Sequence, residues 1–262
     1  MEEPYGVSFD ASGGVVVNQK FYKIVRLDSR GVQTTLVDDE QIQPWDVAVD
    51  GTGAVYYNDL MSRSVFELAP GSTAPQAIYT FPDRGQQPFA IAAAPDGTVV
   101  VSAVITGNTS AQMDVWRFAP GSPTPTMLPF PKESIGALAI TAGGDIYASA
   151  QQKVWKLPAG AAAATQLPIT PRTTRGVAVS NSGDVYVSDA YGGGDPDGPL
   201  GPGNVLVLRA GATTPTVVPF TGSERTGTDR RQQRGRTRPG RRGKQSCTEA
   251  HGLVVLSPDA DS

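Results

Sequence analysis

Five positions, spaced about one repeat apart, carry the residue types on which recognition could rest: Tyr5, Trp45, Phe89, Gly136 and Arg175. Aromatic and arginine side chains are enriched at binding hot spots. Three aromatics and an arginine on one ring would make a cup for a protein, peptide or small ligand. The competing reading is that these side chains only pack between neighbouring elements. Groups that could catalyse are sparse, because catalysis needs titratable side chains gathered in a pocket. His251 is the single histidine and lies beside an arginine-rich tract, so it is discarded as a catalytic candidate. Cys247 is the single cysteine, which excludes an internal disulfide. Asp10, Asp46 and Asp50 could offer oxygen ligands to a metal. The counterparts of Asp10 and Asp50 in later repeats are Thr141 and Ser180, however, so turn capping accounts better for both. Within "YGGGDPDGPLGPG", Asp195 and Asp197 could touch Ca²⁺, but the ligand spacing of an EF-hand loop is missing and a solvated loop is expected. The reading therefore holds no catalytic residue, no metal site and no cofactor.

The elements that must position the five residues repeat. "PYGVSFDASGGVVVNQ" from Pro4, "PWDVAVDGTGAVYYND" from Pro44, "PFAIAAAPDGTVVVSA" from Pro88, "IGALAITAGGDIYASA" from Ile135 and "TRGVAVSNSGDVYVSD" from Thr174 align on Gly13, Gly53, Gly97, Gly144 and Gly183. The glycines are 40, 44, 47 and 39 residues apart. Each segment reads as two alternating strands joined by a tight turn in which the glycine supplies a positive φ. A third strand follows: "KIVRL", "SVFEL", "DVWRF", "KVWKL", "NVLVL". Turn chemistry then leads to a fourth: "TTLV", "AIYTF", "TMLPF", "TQLPI", "TVVPF". Pro129, Pro168 and Pro219 suit an outer edge, where a missing N–H does least harm. Four antiparallel strands at this period describe a blade, so the expected fold is an all-β propeller of four-stranded blades. A solenoid is the rival, but its units usually carry one or two strands rather than a meander of four. Five blades are legible over residues 1–222, and a degenerate sixth is expected in 223–262.

The recurring pattern "GVAVxxxGxVYVxD…NxVLxL…VVPFTG" resembles NHL-repeat propellers. Among these it is similar to the extracellular sensor domain of actinobacterial, mycobacterial-type receptor serine/threonine kinases. The resemblance spans Pro4 to Gly222. It implies six blades, a ligand-sensing or protein-interaction role, and a place on the extracellular side. No kinase motif accompanies it, since a Gly-rich loop with "HRD" and "DFG" is missing. The alternative is a metal-dependent propeller hydrolase or lyase. Lactonase propellers hold a metal in the channel on acidic and Asn ligands, whereas streptogramin-lyase propellers rely on histidine, which residues 1–222 lack.

Charge divides the chain. The net charge is −3, yet residues 225–244 carry eight Arg and one Lys against Asp229, a local +8, leaving −11 on the rest. An acidic body has no nucleic-acid footprint, and a nucleic-acid partner is not expected. The tract "TGSERTGTDRRQQRGRTRPGRRGKQSC" begins where a sixth blade should. Read one base out of frame it can spell "LTVDSNGDV" and "NNRVLKL", the first and third strands of a blade. It is therefore expected to be an out-of-frame remnant or a basic disordered tail, and not a normal blade. No apolar run of about 18 residues could span a membrane. The opening "MEEPYGVSFD" has neither the basic nor the apolar region of a signal peptide, so the chain is expected to be part of something longer.

Overall fold

The computed structural model describes residues 4–19, 22–82, 85–105, 112–190 and 203–219. Twenty strands form five antiparallel sheets of four, each in sequence order. The first blade holds β1 (Pro4–Phe9), β2 (Val15–Gln19), β3 (Lys23–Leu27) and β4 (Gln33–Asp38). The second holds β5 (Pro44–Val49), β6 (Val55–Asp59), β7 (Ser64–Leu68) and β8 (Gln76–Thr80). The third holds β9 (Gln86–Ala93), β10 (Val99–Ile105), β11 (Met113–Phe118) and β12 (Thr126–Met127). The fourth holds β13 (Ile135–Ile140), β14 (Ile146–Ala150), β15 (Lys153–Leu157) and β16 (Thr165–Gln166). The fifth holds β17 (Thr174–Val179), β18 (Val185–Asp189), β19 (Asn204–Leu208) and β20 (Thr216–Val217). The arginine tract, Asp195, Asp197, Cys247, His251 and the expected sixth blade lie outside the described residues.

The five turns that join first to second strands are equivalent. Gly13, Gly53, Gly97, Gly144 and Gly183 all have φ between +78° and +88°. Each donates its N–H to the carbonyl three residues back, on Asp10, Asp50, Ala94, Thr141 and Ser180. At Gly53 a Cβ would meet no other atom, so the backbone conformation alone selects glycine there.

The apolar core lies between blades. Val47, Val49, Val55 and Tyr57 of the second blade pack on Val16, Ile24 and Val37 of the first. Ala48, Tyr56 and Val65 turn the other way, onto Ile91, Val99 and Val101 of the third. Strand alternation thus sends one face of each sheet to each neighbour. As a result the inner strands stand side by side, β1 on β5, β5 on β9, β9 on β13 and β13 on β17.

Two features differ from the sequence reading. In the last three blades the fourth strand is two residues long, not the expected four or five. Each stops two residues before Pro129, Pro168 or Pro219, which cannot donate to the ladder. The second feature is a bulge in every first strand. Pro4 pairs with Gln19 and Val7 with Val17, so β1 carries one residue more than β2 over that stretch. The same excess occurs between Pro44 and Val47, Pro88 and Ile91, Ile135 and Ala137, and Thr174 and Gly176. A bulge re-aims the side chains it contains, and these bulges contain Tyr5, Trp45, Phe89, Gly136 and Arg175.

Candidate functional site

The inner strands enclose a central channel of about 490 Å³. Its wall is largely apolar, with Val7, Val49, Ile91, Leu138 and Val177 among the lining residues. At one mouth are the turns with Asp10, Gly51, Pro95 and Asn181. The five repeat-related residues sit in the bulges near the starts of the first strands, and none of them is among the residues that line the channel.

Three of the five touch in series. The ring centroids of Tyr5 and Trp45 are 4.9 Å apart at 45°, and those of Trp45 and Phe89 are 5.3 Å apart at 39°. These tilted contacts cross two blade boundaries. All three residues are half-buried, as is Arg175 at the same register in the fifth blade. Gly136 is exposed, and a Cβ built on it would meet nothing within 4 Å. The aromatic tier is thus continuous over three blades and leaves open space at the fourth. Its side chains pack on each other while keeping surface toward solvent.

Directly after Trp45 comes Asp46, which lines the channel. Its Oδ1 accepts from the N–H of Val47 at 2.9 Å, and its Oδ2 from that of Ile91, on the next blade, at 3.0 Å. The corresponding positions hold Gly6, Ala90, Ala137 and Gly176. Small residues here are required by geometry at Gly6, where a Cβ would stand 2.5 Å from Asp46 Oδ1 and 2.6 Å from Asn18 Oδ1. Desolvation by burial pushes the Asp46 carboxyl up to about 7, against the pull of the two backbone N–H groups. Among the described residues no Lys or Arg pairs with it.

Side chains from the second strands hold this tier in place. Asn18 accepts from the N–H of Gly6 and donates to the Pro44 carbonyl at 2.9 Å. Asn58 accepts from the Asp46 N–H at 2.7 Å and donates to the Phe89 carbonyl. Ser102 accepts from Ala90 N–H at 3.0 Å and reaches the Ile135 carbonyl at 3.5 Å. Each side chain ties the bulge of its own blade to the first strand of the next. Neither Asn18 nor Asn58 is among the residues expected from the sequence, although their 40-residue spacing is a readable sign of an equivalent role.

The remaining carboxylates serve the turns. Asp10 Oδ1 accepts from the N–H groups of Ser12 and Gly14, both at 2.8 Å, and Arg26 lies 2.5 Å from its Oδ2. Burial works against the charge of Asp10, but these hydrogen bonds and Arg26 keep its pKa below the ordinary aspartate value. Asp50 repeats the pattern with Thr52 and Ala54 at 2.8 and 3.0 Å. Among the described residues no three His, Cys, Asp or Glu gather as a metal site, and no helix is long and apolar enough to cross a membrane.

No protein-family model matches the chain. No curated protein matches it either. Solved structures do. A chain of the nidogen/laminin complex superposes with a TM-score of 0.63 at 13% identity, over 81% of this chain and 78% of that one. A gluconolactonase from Xanthomonas campestris gives 0.62 at 13%, over 84% and 77%. A streptogramin B lyase gives 0.54 at 12%, over 84% of both. At these identities the likeness establishes the fold: a β-propeller.

Proposed function

We propose that this propeller is a binding module, and that its ligand or partner segment rests on the tier formed by Tyr5, Trp45 and Phe89, beside the opening at Gly136 and with Arg175 on the far side. The observation that carries this reading is the unbroken, half-buried run of three aromatic rings across two blade boundaries. Concave, mostly apolar sites with a few polar groups are the usual form of a ligand site. The resemblance of the repeats to receptor-kinase sensor propellers fits the same role, as an extracellular sensing domain. The similar folds serve in a protein complex and in two enzymes, and so do not choose between binding and catalysis. The carboxylates a metal-dependent hydrolase would need are taken up at Asp10 and Asp50 by turn hydrogen bonds and, at Asp10, by Arg26.

Selection from a displayed-peptide library and a compound panel tests the proposal, with Trp45→Ala as the counter-selection. Ligands that bind the parent and lose at least tenfold on the variant are expected. If every ligand binds both proteins equally, the tier is packing and the proposal fails.

A further inference from the structure

We propose that the channel below the aromatic tier takes a primary ammonium group on an alkyl stem, with Asp46 as its counter-ion. This rests on the binding reading above and names the chemistry of its ligand.

The Asp46 carboxylate lines a channel whose other residues are mostly Val, Ile, Leu, Ala and Gly, with Asp10, Asp50 and Asn181 toward the turns and Ser8 among the strands. The two backbone N–H bonds fix its orientation and leave each oxygen an unused acceptor site. The positions equivalent to Asp46 in the other four blades hold Gly or Ala, so none of them carries a neutralising side chain. The titratable groups on the strands packed against it are few. β1 contributes Tyr5, while β2 and β9 contribute none. β6 contributes Tyr56, Tyr57 and Asp59. Tyr56 and Tyr57 are pushed above the ordinary phenol range, chiefly by burial. Asp59 is held by the N–H groups of Gln43, Met61 and Ser62. On the same ring, Arg175 is the cation of the fifth blade.

Asp46 ties the second and third blades through both of its oxygens, and the acceptor sites it has left face no cation among the described residues. Asp46 is half-buried against a mostly apolar wall, and a carboxylate so placed is stabilised by a cation brought to it. The wall beside Asp46 is apolar, which favours an alkyl stem over a multiply charged ligand. A free amine and the side chain of a partner's lysine share this chemistry.

The test uses n-butylammonium chloride, with n-butanol as the neutral control, titrated into the full chain and followed by NMR. Butylammonium should bind at least tenfold more tightly than butanol at pH 8. Its affinity should fall toward tenfold per pH unit below about 7, because the proton on Asp46 then competes with the ligand. Asp46→Asn should abolish the preference for the cation over butanol. Nα-acetyl-lysine methylamide run in parallel identifies the source: tighter binding than butylammonium points to a partner's lysine, weaker binding to a free amine. Equal binding of butylammonium and butanol, affinity independent of pH between 5.5 and 8, or no binding of butylammonium at millimolar concentration each overturns the proposal. Loss of binding by Trp45→Ala with no effect of Asp46→Asn leaves the aromatic cup standing and removes only the ammonium assignment.

Discussion

The ring of Trp45 lies 5.3 Å from that of Phe89, although the two residues are 44 positions apart and belong to different blades. Tyr5 repeats the relationship on the other side of Trp45, at 4.9 Å. Trp45 is therefore the only one of the three to make both contacts. Truncating Tyr5 or Phe89 to Ala removes one ring pair, and truncating Trp45 removes two. With about 0.5–1.5 kcal/mol per aromatic pair beyond area burial, Trp45→Ala should lower denaturation stability by the sum of the other two pair terms. Chemical denaturation of the three variants checks the ordering.

Gly6→Ala should destabilise the protein by about 1–3 kcal/mol, the usual effect of overpacking. The added methyl would stand 2.5 Å from Asp46 Oδ1 and 2.6 Å from Asn18 Oδ1. Because one of the two collisions is with Asp46, the double variant Gly6→Ala, Asp46→Ala should recover part of the loss. A double-mutant cycle measures the coupling, and simple additivity would mean that Gly6 does not make room for Asp46.

Asn58→Ala should cost about 2–3 kcal/mol, since it strips a partner from the half-buried Asp46 N–H and from the Phe89 carbonyl together. Hydrogen exchange should show faster protection loss at Asp46 than at the turn amide of Gly53. Asn18→Ala should act in the same way on Gly6 and Pro44.

Stability should fall as pH rises toward neutrality. The Asp46 carboxyl titrates near 7 in the folded chain and near 3.8 when unfolded, so between these values the folded state binds the extra proton. The stabilisation is complete below about 3.8 and is lost as pH rises through about 7. Asp46→Asn should remove this component, so that the pH dependence of the difference between parent and variant lies in that window. Melting curves at half-unit intervals from pH 4 to 8 measure it; a difference that does not vary with pH would contradict it.

Much of this architecture was readable because the chain repeats. The turn glycines set the register of five blades, and the alternation of Val47, Val49, Val55 and Tyr57 against Ala48 and Tyr56 already divided the two faces. The bulges were not readable, because an extra residue in β1 is defined only against its partner in β2. Asp46 was visible as a carboxylate, but its character was not. That character comes from Gly6, 40 residues before it, and from Ile91, 45 after it, which approach only when the blades pack. The short outer strands reflect prolines whose position was plain and whose effect on strand length was underestimated.

The most direct test of the cup is ¹⁹F NMR of protein labelled with 5-fluorotryptophan. The chain has three tryptophans, Trp45, Trp116 and Trp155, and Trp45→Phe assigns the resonance of interest. On exchange from H₂O to D₂O the Trp45 resonance should show a solvent isotope shift, and ligands selected on the parent protein should move it more than those of Trp116 and Trp155. A Trp45 resonance that ignores the solvent and is unmoved by every such ligand would mean that the three aromatic rings only seal the blades.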